Sequence, residues 1–83
     1  MKKSEFILKI PEYEEHLKGW RIETEKLDNS DFVLGCYFNN DENKWIVYIN
    51  KSDGRHYVRL VTSSEDEAFD ELCSIIDFRY SYA

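Results

Sequence analysis

FVLGCYF (residues 32–38), KWIVYIN (44–50) and RHYVRLVT (55–62) follow one another with only short polar breaks between them. Each run is rich in β-branched and aromatic residues and alternates with a period of two, which predicts three consecutive strands. Asn39–Asn43 reads as the first break, and Asp53-Gly54 is a strong two-residue hairpin signal. A loop at Asn40–Asn43 sets Phe38 opposite Trp45, Cys36 opposite Val47 and Leu34 opposite Ile49. A two-residue turn at Asp53-Gly54 sets Ile49 opposite Val58 and Val47 opposite Leu60. One face, predicted as the core, then holds Phe32, Leu34, Cys36, Phe38, Trp45, Val47, Ile49, Val58 and Leu60. The other holds Val33, Gly35, Tyr37, Ile46, Tyr48, Tyr57, Arg59 and Val61, with the Tyr48 ring lying across Gly35.

Working outward, WRIETEKL (residues 20–27) alternates as a half-exposed strand, and Asp28–Asp31 is a turn cluster joining it to the next strand. Before it, Phe6, Ile10, Tyr13 and Leu17 recur at helical spacing. This predicts a helix that begins near Ser4, kinks at Pro11 and stops at Gly19. After the strands, Ser64 and Glu67 have capping-box spacing, and Ala68, Phe69, Leu72, Cys73 and Ile76 form one apolar stripe. The expectation is a single α+β domain over residues 1–83: an N-terminal helix, a four-stranded antiparallel meander and a C-terminal helix packed on one face.

Composition narrows the function classes. Apolar residues make up 42% and aromatics 16% of 83 residues, enough for a packed core. Seventeen acids against 11 bases give a net charge of −6, which opposes binding to nucleic acid or an anionic membrane and suits a basic protein partner. No run approaches the ~18 apolar residues of a membrane helix. The opening MKKSEFILKI is too short and too interrupted for a signal peptide, so a cytoplasmic location is expected. Cys36 and Cys73 then read as reduced, buried thiols.

Converging chemistry is absent from the pattern. His16 and His56 have no second ligand at metal spacing, and Gly19, Gly35 and Gly54 are isolated and form no phosphate loop. The apolar settings of both cysteines raise a thiol pKa rather than lower it. The acids concentrate at Glu65–Glu71, where they start a helix and face solvent. No enzyme, metal or cofactor is expected. The candidate partner-binding residues are Tyr37, Tyr48, Tyr57 and Arg59, with Glu23 and Glu25 as flanking acids, because tyrosines beside an arginine are typical of an interface centre. Two readings of that face stand open: a docking surface, or the seat of the N-terminal helix through Phe6, Ile10 and Leu17.

FVLGCY (32–37), KWIVY (44–48), a glycine-centred turn and SEDEAFDEL (64–72) resemble, in that order and spacing, a family of small immunity proteins encoded beside bacterial polymorphic toxins, the family numbered fifty-nine. The resemblance spans roughly residues 20–76 and carries over to Gly35, Tyr37, Trp45, Val47, Tyr48, Ala68 and Phe69. It implies an α+β fold, no catalysis, and protection of the producing cell by capping a cognate toxin domain, here a basic one. At Arg79-Tyr80-Ser81-Tyr82 the chain departs from the basic ending expected of the family. The alternative is a prophage or mobile-element accessory protein that regulates another protein by binding it. In either case a monomer or weak homodimer is expected.

Overall fold

A computed structural model describes the backbone of residues 1–82 and the side chains of residues 1–78. The chain forms α1 (Lys3–His16), β1 (Arg21–Glu23), β2 (Val33–Asn39), β3 (Lys44–Asn50), β4 (His56–Thr62) and α2 (Glu65–Tyr82), an α+β arrangement with sheet order β1-β2-β3-β4. The Arg79–Tyr82 ending lies within α2, and its side chains fall outside the described residues.

The predicted β2–β3 register is the observed one. Phe38 faces Trp45, Cys36 faces Val47, Leu34 faces Ile49 and Gly35 faces Tyr48. The start of α2 also follows its sequence signal, with one rearrangement. The Ser64 hydroxyl accepts the Glu67 N–H at 3.2 Å, but the Glu67 carboxylate takes the Thr62 hydroxyl at 2.8 Å. Thr62 in turn accepts the Ser64 N–H at 3.1 Å, so the cap is relayed through the end of β4. Ala68, Phe69, Leu72 and Ile76 are buried as expected, whereas Cys73 is half-buried.

Both helices lie on one side of the sheet. Phe6 of α1 and Leu17 just after it join Leu34, Cys36, Val47, Ile49, Phe69 and Leu72 in one core, and α1 does not sit on the outer face. The Phe6 ring centre is 5.4 Å from that of Phe69. α1 runs through Pro11 without a break, with Ile7 and Pro11 both exposed. It ends at His16 with Leu17 as its C-cap, and Gly19, with φ of +87°, reverses the chain into β1. The Glu14 carboxylate then accepts the N–H of Ile22 at 2.9 Å and covers the free edge of β1.

Three expectations need correction. First, the sheet is mixed: β1 is three residues long rather than Trp20–Leu27, and it pairs with β2 in parallel. Asp28–Asp31 therefore closes no hairpin. Residues 24–32 cross the outer face instead, held by side chains from β3. The Tyr48 hydroxyl donates to Lys26 O at 2.9 Å and accepts the Asp28 N–H at 3.0 Å. The Asn50 amide donates to Asp28 O at 2.5 Å and Ser30 O at 2.9 Å. These four bonds satisfy a loop that a hairpin would have satisfied by strand pairing.

Second, the β3–β4 register slips. Asp53 and Gly54 take the left-handed backbone of a tight hairpin turn (φ 60° and 74°), and Arg55 N–H bonds Ser52 O at 3.3 Å. Lys51 N–H, however, bonds Arg55 O at 2.8 Å, so the pairs become Asn50–His56, Ile49–Tyr57 and Tyr48–Val58. A bulge at Arg59 restores the expected Val47–Leu60 pairing. Asn50 explains the slip. Its amide is committed to the crossing loop, so its carbonyl oxygen needs a donor, and His56 Nδ1 supplies one at 2.6 Å.

Third, the core list loses members. Phe32, Phe38 and Val58 are exposed, and Trp45 and Leu60 are half-buried at the margin of the core. Trp45 still stacks edge-on against Phe38 at 5.3 Å and Phe69 at 5.7 Å.

The crossing loop makes a pH prediction. Asp28 accepts hydrogen bonds from the Ser30 N–H at 2.8 Å and from the Ser30 hydroxyl, and it pairs with Arg21, which together pull its pKa from 3.8 down to about 2. A carboxylate depressed in the folded state adds stability that is complete above its unfolded pKa and lost as the pH falls through the folded one. Thermal melts of wild type and Asp28→Asn are expected to differ by a constant amount above about pH 4. That difference should shrink as the pH falls from 3.8 towards 2 and vanish only below the folded pKa of about 2.

Candidate interaction surface

The slip and the crossing loop divide the six sequence-predicted residues. Tyr48 is fully buried: Gly35 lies beneath its ring, Tyr37 packs edge-on at 5.8 Å, His56 lies at 5.4 Å, and the loop closes over it. Burial raises its pKa to about 12, which keeps the hydroxyl protonated as the donor to Lys26 O. Tyr37 is half-buried beside it.

Glu23 and Glu25 are engaged within the chain. Glu23 pairs with Arg21 at 3.3 Å and accepts the Glu25 N–H at 2.9 Å. Glu25 pairs with Lys3 at 2.7 Å, and that ammonium lowers its pKa.

Tyr57 and Arg59 sit apart from Tyr48. The slip gives Tyr57 the register position opposite Ile49, on the helix side, and Val58 the position opposite Tyr48. Lys51 Nζ lies 5.4 Å from the centre of the Tyr57 ring. Arg59, the bulged residue, borders a groove of about 500 Å³ between β4 and α2, whose walls include Ile49, Lys51, Glu71, Ile75 and Phe78. The structure thus does not bring Tyr37, Tyr48, Tyr57 and Arg59 onto one face.

What it gathers instead is the outermost strand. Tyr57, Val58 and Val61 of β4 are 44%, 54% and 50% exposed. One edge of β4 pairs with β3, and no strand among the described residues pairs with the other. The groove and the exposure of Val58 had no signal in the sequence beyond Asn50, the one polar residue of β3 that ends up buried.

Cys36 is buried, and burial pushes its thiol up to about 12, so it is held as an unreactive thiol. Cys73 is also free, and the Tyr13 hydroxyl lies 3.6 Å from its sulfur. Among the described residues, no three His, Cys, Asp or Glu side chains gather as metal ligands, and no helix is long and apolar enough to cross a membrane. Comparison with family models, curated proteins and solved structures finds no match for this chain.

Proposed function

We propose that the protein is a non-catalytic binding protein, of the immunity type, that neutralises a cognate toxin domain by covering it. The observation that carries the reading is β4. An outermost strand of seven residues, with Tyr57, Val58 and Val61 each near half exposed, leaves apolar surface and backbone polar groups uncovered on so small a chain. The resemblance of residues 32–37, 44–48 and 64–72 to immunity proteins supports the toxin as partner, and the net charge of −6 suits a basic one.

Covering apolar side chains at an interface centre sets the dissociation rate, whereas long-range charge sets association. Val58→Asp and Val61→Asp are expected to keep the wild-type circular-dichroism spectrum. Each should also speed dissociation of the complex with the proposed cognate toxin domain about thirtyfold, equivalent to ~2 kcal/mol at a hot spot. Surface plasmon resonance measures it. Folded variants that dissociate no faster than wild type would remove β4 from the interface.

A further inference from the structure

We propose that β4 and the groove beside it form a strand-addition site for an extended segment of a partner protein, one that carries a carboxylate between apolar side chains. The inference rests on the reading of the chain as a binding protein, but not on the partner being a toxin.

Backbone geometry comes first. A strand at a sheet edge presents a row of N–H and C=O groups at strand spacing, and an extended peptide satisfies them by becoming the next strand. At the other end of the sheet that route is closed, because Glu14 occupies the N–H of Ile22 and β1 is only three residues long. β4 has seven residues and no such cover among the described residues, and the bulge at Arg59 divides its free edge into two three-residue stretches, 56–58 and 60–62.

Side chains then select what is added. Val58 and Val61 take the outer face, opposite Tyr48 and Ile46, so an added strand finds apolar neighbours there. On the helix face stand Tyr57, Arg59 and the mouth of the groove, with Ile75 and Phe78 along its α2 wall. Alternate side chains of an added strand therefore meet an apolar face and a cationic groove.

Charge fixes the chemistry of the segment. Lys51, Arg55 and Arg59 against Asp53 give residues 51–62 a net charge of +2, in a chain of net −6. None of these three cations makes an ion pair with a described residue: Lys51 lies over the Tyr57 ring and Arg55 bonds Ser52. Glu71, on the α2 wall, pairs with neither Lys51 nor Arg59. A carboxylate entering along β4 would meet cations that have no other acid to satisfy.

The same charges argue against a second copy as the occupant. Two-fold antiparallel pairing of β4 along its full length sets its middle residue, Arg59, against the Arg59 of the other copy. Like charges directly opposite destabilise a strand pair.

The test uses the full chain labelled with nitrogen-15 and two capped heptapeptides, Val-Thr-Val-Glu-Val-Thr-Val and its counterpart with Lys in place of Glu. The acidic peptide is expected to shift the backbone amides of residues 56–62 saturably and to bind at least tenfold more tightly than the lysine peptide. Arg59→Glu should reverse that preference, and Lys51→Gln should weaken it without reversal. Equal binding of the two peptides, shifts centred on residues 24–32, or no saturable shift at all would each overturn the proposal. A toxin complex that depends on Val58 while neither peptide binds β4 would sink strand addition alone. Peptide binding at β4 without any toxin complex would sink only the immunity reading.

Discussion

Phe69→Ala is expected to cost ~3–5 kcal/mol, the largest stability loss of any single substitution considered. Phe69 is fully buried, and its ring joins Phe6 of α1 at 5.4 Å to Trp45 of β3 at 5.7 Å, so one side chain ties both helices to the sheet. Alanine would leave a cavity that neither ring can fill without leaving its own partner. An 83-residue domain has a total stability of about 4–12 kcal/mol. The variant should therefore melt some 15–30 °C lower, or be largely unfolded at room temperature. A urea titration followed by circular dichroism measures it. An unchanged midpoint would mean that the helices are held by something other than this aromatic cluster.

Gly35→Ala is expected to be nearly as harmful, for the opposite reason. A Cβ at position 35 would fall inside the van der Waals envelope of the Tyr48 ring, against Cζ, Cε1 and the hydroxyl oxygen. The ring cannot swing away, because its hydroxyl is bonded to both Lys26 and Asp28 of the crossing loop. Relief requires breaking those bonds or bending β2, at a cost of about 3 kcal/mol. The cause can be isolated with a double-mutant cycle. In a Tyr48→Ala background the added methyl meets open space, and Gly35→Ala should then cost nothing measurable, giving a coupling of ~3 kcal/mol. Strictly additive costs would show that Gly35 is required for its own backbone and not for the ring above it.

These two positions mark what could be read in advance. Counting residues across the Asn40–Asn43 loop pairs Gly35 with Tyr48, since a short polar loop between alternating runs leaves one register that keeps both faces consistent. Phe69 was legible from its helical spacing after Ser64. The mixed sheet was not legible. Three alternating residues at an edge read the same in either direction, and the choice is made by Tyr48 and Asn50, whose bonds to the crossing loop belong to tertiary structure. Phe32 shows the consequence. Counted as a core strand residue, it ends the crossing loop with φ of +58° and stacks edge-on against Trp20 at 5.4 Å.

Two features separate the tyrosines and the arginine of the candidate site: the slip in β4 and the loop that crosses Tyr48. A period-two count cannot register a one-residue slip, yet the slip between Lys51 and Arg59 moves Tyr57 to the helix side and Val58 to the outer side. It follows from the hydrogen-bonding needs of the buried Asn50, met by His56. Tyr48 is covered neither by a partner nor by the N-terminal helix, the two readings its face leaves open, but by a loop whose sequence reads as a turn.

That the chain binds a protein partner through β4 is tested most directly by amide hydrogen exchange, with and without a toxin domain of the class proposed as its partner. The prediction is an equimolar complex in which the toxin's activity is suppressed and amides of residues 56–62 gain protection, while residues 24–32 exchange as in the free chain. Loss of suppression, or a complex whose added protection lies wholly outside residues 56–62, would contradict it.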